Sequence, residues 1–307
     1  MSNKRKIILS VLCLLLVVAG AYAYSVWQLS RLNTSFYFMD TPGNLIGSFS
    51  VGESNVIHQP SGNDVTFALG SRHSFIAHDD AVRLKELGYP VKFSNTLILT
   101  TAPTGQYHIY TQKVKLDVTF INPSLPDSAF IIHDVELLVR PDGTRNVIGM
   151  DILSKMVIER LWPENVVNLY KEVPPSYYEV SPIKFHDSTL GNYVRLNGRA
   201  SIPLSVNDEE PRDYYLVTAD KMWNYEIVQP KKNRLLATTP VEWDSIKGVY
   251  VQSRCRVNFG NRLRYSSVVY SDDVHSARYV INPLRFFDQD FVLDMPGRRL
   301  MIHRTRE

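Results

Sequence analysis

The sequence predicts a mainly β protein in two parts, carrying a few short helices and preceded by one transmembrane helix. Three observations lead there. A long uncharged apolar run follows a basic cluster at the N-terminus, and short alternating runs separated by turn residues fill most of what remains. One strand, tight turn and short apolar helix closes the middle of the chain and recurs at its end.

Lys4, Arg5 and Lys6 precede IILSVLCLLLVVAGAYAYSVWQL, Ile7 to Leu29, which is free of charge and of the length that crosses a bilayer as a helix. A basic flank stays in the cytoplasm, so the N-terminus is expected inside and the bulk of the chain in the periplasm or outside the cell. Tyr22, Tyr24 and Trp27 fall where aromatic side chains settle at the outer interface. Ala21, Tyr22 and Ala23 also read as a small-residue cleavage site, so a leader removed after Ala23 stands beside a retained anchor. Both lead out of the cytoplasm. Cys13 lies deep in the apolar run without a lipoprotein context. That leaves Cys255 alone in the exported part, which excludes an intramolecular disulfide and a CxxC redox or zinc pair.

The 307 residues have room for two ordinary domains with a proper core. A net charge of +3, with 34 basic residues scattered among 31 acidic ones, gives nucleic-acid binding little electrostatic support. The 17 Tyr, plentiful Val and Ile, and only 15 Gly suit a folded β-rich chain.

VKLDVTFI (Val114 to Ile121), VELLVR (Val135 to Arg140), YVRLNG (Tyr193 to Gly198), ASIPLSV (Ala200 to Val206) and RYSSVVYS (Arg264 to Ser271) alternate as strands do. HDDAVRLKELG, His78 to Gly88, reads as one amphipathic helix, with Asp residues expected as caps and a terminal Gly. GMDILSKMVIE, Gly149 to Glu159, fits a second. The Pro-bearing stretch KEVPPSYYEVSPIKF, Lys171 to Phe185, is the natural boundary. The chain then divides into a stub and anchor over 1–30, a linker over 31–46, and two lobes over 47–175 and 176–307.

VIGMDIL (Val147 to Leu153) aligns with VINPLRF (Val280 to Phe286), and FFDQDFVLDMPGRRLMI after the second ends in a hairpin with its turn at Met295 to Arg298. These endings resemble the closing segments of retropepsin-like and pepsin-like aspartic proteases. The resemblance implies two tandem retropepsin-like β-barrel lobes, each with an Asp-Thr/Ser-Gly triplet upstream of its closing segment. In the first, FALGSRHSFIAHDDAVRLKELG (Phe67 to Gly88) fills that slot: Gly70, Ser71, the later Ser74 and Phe75 and the short helix fit, Ala68 stands where the catalytic Asp belongs, and Leu69 replaces the Thr. In the second, YYLVTADKMWNYEIV (Tyr214 to Val228) fills it, with Val217 at the Asp position, Thr218 matching, and Ala219 in place of Gly. The longer spacing in the first repeat leaves room for a flap-like hairpin over Thr96 to Gln112.

Aspartic proteolysis needs two carboxylates about 3 Å apart sharing one proton. Ala68 and Val217 supply none, so no catalytic residue is assigned. Asp64 and Asp220 are the nearest substitutes and read better as solvated loop acids. Asp40 in DTPG is interrupted by Pro42 and reads as a linker turn. GxSxG, HExxH and P-loop patterns are missing from the sequence. His73 and His78, beside Asp79 and Asp80, are spaced off one face for a metal. No metal and no cofactor is implied.

The leading expectation is a membrane-anchored, extracytoplasmic, non-catalytic aspartic-protease-like protein that binds a peptide or protein partner. Gly70, Ser71, Tyr107, His108 and Thr218 are the candidate ligand contacts. A divergent protease with relocated carboxylates and a structural component of an envelope complex are the alternatives.

Overall fold

The computed structural model describes residues 3–34, 43–50, 56–57, 65–101, 107–122, 125–141, 145–186, 199–218, 225–236, 240–245, 248–272 and 279–303. Asp40, Thr41 and Pro42 of the DTPG turn, the 193–198 run, Asp64 and Asp220 lie outside them. Helix α1 (Asn3–Arg31) carries an apolar stretch long enough to cross a membrane, and none of that stretch is buried against the rest of the chain. Its end differs: Ser25 and Leu29 are buried, as are Leu32 and Asn33 just past it.

The first half of the chain then runs β1 (Leu45–Ser50), β2 (Val56–Ile57), β3 (Val65–Phe67), β4 (Phe75–Ala77), α2 (His78–Glu86), β5 (Lys92–Thr101) and β6 (Tyr107–Asn122). It finishes with β7 (Leu125–Arg140), β8 (Asn146–Ile148), α3 (Met150–Leu153), β9 (Val157–Leu161) and β10 (Val166–Tyr170). The second half begins with β11 (Tyr177–Pro182), β12 (Lys184–His186), β13 (Arg199–Val206), β14 (Arg212–Leu216), β15 (Ile227–Gln229) and a 3-10 turn over Lys231–Leu236. It closes with β16 (Glu242–Asp244), β17 (Val249–Phe259), β18 (Arg262–Tyr270), β19 (Val280–Ile281), α4 (Pro283–Phe286), β20 (Phe291–Asp294) and β21 (Arg299–His303). The chain is mainly β, with short helices behind one apolar N-terminal helix.

Among the described residues these strands make three sheets. One has the order β2-β3-β8-β4-β7-β6-β5. A second, β12-β13-β14-β19-β15-β18-β17-β16, closes into a barrel through the added pairing of β13 with β17. The third, β1-β10-β9-β20-β21-β11, takes three strands from each half. At its middle β9 and β20 are antiparallel, with Ile158 opposite Leu293 and Val157 opposite Asp294. One face sends Ile158, Leu293, Leu300 and Ile302 into a core cluster that also holds Phe67, Leu216, Phe286 and Phe291, so both halves share one interior. The other face packs Val157, Val292 and Met301 against Tyr170 and Tyr177. Glu159 is buried on that face, and its carboxylate accepts from Asn168 Nδ2 (2.7 Å), Tyr170 OH (3.0 Å) and Tyr177 OH (2.7 Å). A buried carboxylate without such donors would be prohibitively costly.

Two expectations about helices change. The pattern over Gly149 to Glu159 is helical only across Met150–Leu153, and Val157 to Glu159 belong to β9. Apolar spacing suits either state, and ladders to β10 and β20 on both sides decide for strand. Helix α2 forms as expected and stops before Gly88, which sits at φ +90° where a glycine is favoured. Its first-turn acids do not cap it: the cap position is Ala77 without a side-chain bond, and Asp80 instead accepts from Asn146 Nδ2 (2.7 Å), tying α2 to β8.

Candidate functional site

One strand–turn–closing unit occurs in each half of the chain. In the first, β3 runs parallel to β8 with Phe67 opposite Ile148, and Ala68 N donates to Ile148 O (3.0 Å). In the second, β14 runs parallel to β19 with Leu216 opposite Ile281, and Val217 N donates to Ile281 O (2.9 Å). Backbone register alone therefore pairs Ala68 with Val217, Leu69 with Thr218 and Gly149 with Asn282. Each unit leaves through its short helix, α3 or α4, into a strand at the centre of the shared sheet.

The two turns touch. Thr218 is fully buried, and its Oγ1 donates to Phe67 O (2.9 Å) while accepting from Leu69 N (3.0 Å). The link is one-sided, because the residue paired with Thr218 is Leu69, whose side chain has no polar group to return it and packs into the core. A Cβ added at Gly70 would lie 2.9 Å from Val217 Cγ1, so only a glycine lets this backbone rest on the valine. Ala68, Leu69 and Val217 are buried too. Where the turns meet, the buried side chains of Ala68, Leu69 and Val217 are hydrocarbon, and the Thr218 hydroxyl is committed to the first turn.

The first turn is held from behind by its closing segment. Met150 N donates to Ser71 O (2.8 Å) and Asp151 N to Arg72 O (3.1 Å). Ser74 Oγ accepts from Gly149 N (2.8 Å) and donates to Asp151 Oδ1 (2.7 Å). A Cβ at Gly149 would come within 2.7 Å of the His73 carbonyl, so that position has no room for a side chain. Burial pushes the Asp151 carboxyl up from 3.8 to about 6, against hydrogen bonds from Ser74 and Asn33 that favour the charge. His73, half-buried at the turn, is lowered from 6.5 to about 4, first by desolvation and then by the charges of Arg72 and Arg140.

Asn33 completes this cluster from the far end of the sequence. It sits at φ +56° just beyond α1, and its Nδ2 donates to Asp151 Oδ2 (2.7 Å) and Glu136 O (2.9 Å). Its Oδ1 accepts from Glu136 N (2.8 Å), and Lys155 Nζ donates to its carbonyl. The last turns of α1 lie along the β5–β6 hairpin: Leu29 and Leu32 pack with Ile98, Tyr110, Leu138 and Phe75, and Leu99 N donates to Ser25 Oγ (2.7 Å). Arg140 covers this cluster, its guanidinium 3.5 Å from the Phe75 ring centroid and its Nε donating to Tyr110 OH (2.9 Å).

Of the residues singled out by sequence, Ala68, Gly70, Val217 and Thr218 are brought together. Ser71 is near them and half-buried, with its hydroxyl donating to His73 O (2.8 Å). His108 is apart, half-buried on the hairpin beside Tyr110. Tyr107 pairs with Thr101 through its backbone, and its side chain lies outside the described ones, as do Asp64 and Asp220. Asn33 was not anticipated, and Ser74 and Asp151 were legible only as members of their turn sequences, without the bond that joins them. An Asn just after a helix is a recognisable C-terminal signal, but its partners are remote in sequence.

No family model and no curated protein matches this chain by sequence. Its shape does have likenesses. Conglutin gamma, a basic 7S globulin from lupine seeds, superposes with a TM-score of 0.51 at 9% identity, covering 86% of this chain and 96% of the lupine one. The fold is aspartic-protease-like. The basic 7S globulin from soybean is similar at a TM-score of 0.49 and 9% identity, over 85% of this chain and 95% of its own.

Proposed function

We propose that this is a membrane-anchored, extracytoplasmic, non-catalytic aspartic-protease-like protein of two tandem degenerate repeats, 47–175 and 176–307, that binds a peptide or protein partner. One observation carries the reading. At the convergence of the two turns, where the family resemblance calls for a carboxylate pair, Ala68 and Val217 are packed shut, with Gly70 against Val217 and Thr218 bound across to the first turn. A dyad needs two acids sharing a proton, and the two seats hold Ala68 and Val217, both buried. The anchor is α1, with the basic cluster on the cytoplasmic side. A partner is expected on the outer surfaces of the lobes, because Leu29 and Leu32 of the chain itself lie against the hairpin face that carries Ile98 and Tyr110.

The test uses the full chain in nanodiscs with a mixed fluorogenic peptide library. The peptides are expected to stay uncut from about pH 3 to about pH 7, a range that brackets dyad titration, while a subset is retained on the immobilised protein. Turnover that disappears in D64N or D220N overturns the non-catalytic half. Retention no greater than on empty nanodiscs overturns the binding half.

A further inference from the structure

The end of α1 and the β5–β6 hairpin run side by side in one direction. Asn33 is level with Glu136 of β7, and Ser25, two turns earlier, is level with Leu99 of β5. Glu136 pairs with Lys115 near the base of the hairpin, whereas Leu99 pairs with Ile109 toward its tip. Going back along α1 into its apolar stretch is thus going outward along the hairpin. Past Leu99 the described strands continue to the Thr101–Tyr107 pair, about 7 Å farther at the strand rise, which is level with Ala21 at the helix rise.

The two faces of this hairpin differ in what covers them. Ile98 and Tyr110 turn toward Leu29 and Leu32. Leu97 and Leu99 alternate with the buried Thr96 and Ile98, and the cross-strand partner of Leu99, Ile109, is 66% exposed. At the same level α1 exposes Tyr22, Tyr24 and Trp27, side chains that favour the boundary between hydrocarbon and water. The hairpin thus bares apolar side chains on the face turned away from α1, at the level where the helix bares these rings.

We propose that the outer face of the hairpin, formed by Leu97, Leu99 and Ile109, rests in the interfacial layer of the same bilayer that α1 crosses. The first lobe then meets lipid at two places, and the latch from Asn33 to Glu136 and Asp151 sets the angle between them. The occupant is the lipid surface, since the patch lies level with Ser25 and the exposed Tyr22, Tyr24 and Trp27, where the span leaves the hydrocarbon. The proposal rests on the reading of α1 as an anchor.

Environment-sensitive labels on the full chain in phosphatidylcholine nanodiscs test it. The native Cys13, exposed on α1, reports the anchor; Cys255 is buried and stays unlabelled. I109C and, independently, L97C, each in a C13A background, report the hairpin, and Y265C in β18 serves as an exposed aqueous control. Headgroup-proximal nitroxide lipids are expected to quench the 109 and 97 labels several-fold more than the 265 label, with protection from iodide. If the Cys13 label is quenched by lipid while those at 109 and 97 respond only to iodide, the hairpin contact is wrong and the anchor stands. If the label at Cys13 itself escapes lipid quenching, the anchor reading falls and takes this proposal with it. Shielding of 109 and 97 from both quenchers means protein covers the face, which also overturns the proposal.

Discussion

Thr218→Val tests the contact between the two turns with little change of shape. Valine keeps the volume and removes the hydroxyl that bridges Leu69 N and Phe67 O. The Leu69 N–H then loses its acceptor in a buried setting, costing about 1–3 kcal/mol, and the Phe67 carbonyl loses a donor worth about 1 kcal/mol. A total of about 2–4 kcal/mol is expected, which for a chain of this size lowers Tm by roughly 3–6 °C. Thr218→Ser keeps both bonds and loses one buried methyl, about 1 kcal/mol. Thermal and urea unfolding of the full chain in detergent, followed by tryptophan fluorescence, gives the ranking. If T218V is as stable as the parent, or if T218S is the more damaging of the two, the hydroxyl does not join the turns as described.

Gly70→Ala puts a methyl 2.9 Å from Val217 Cγ1 and is expected to cost about 1–3 kcal/mol. V217A should restore most of it in the double variant, so the coupling from a double-mutant cycle is the readout. Gly149→Ala meets the His73 and Ser71 backbones within 2.9 Å, where no side chain can yield, and no second substitution should rescue its lowered Tm. The Asp151 carboxyl titrates near 6 when folded and near 3.8 when unfolded, so between these values the native state holds the extra proton. Its contribution therefore improves as pH falls through 6, by roughly 2 kcal/mol at pH 4. The stability of the parent minus that of D151N should rise by that amount from pH 7 to pH 4 in urea titrations, and a flat difference would mean the carboxyl is already neutral or already solvated.

Local composition made some of this legible and long-range pairing hid the rest. Ile7 to Leu29 reads as a span because the signal needs only apolarity and length. Strands such as Ala200 to Val206 declare themselves by alternation, and the pairing of Ala68 with Val217 was visible because both closing segments kept their strand–turn–helix order. Val157 and Ile158 look helical beside Met150 and Leu153 until β20, which lies far along the chain, supplies a ladder. The Thr218 hydroxyl and the Asn33 amide are in the same position: each is an ordinary polar residue whose role is set by a backbone it meets only after folding. Reading 31–46 as linker missed Asn33 for that reason.

The peg formed by Ser25, Leu29, Leu32 and Asn33 bears on how this protein matures. Among the described side chains of α1, Ser25 is the first that is buried, and a cut after Ala23 falls just before it. A peptidase acting there would release the hydrophobic leader and leave the whole peg, with its bonds to Leu99, Glu136 and Asp151, on the domain. Tethered and shed forms would share one fold, and processing would change where the molecule resides without loosening what it is.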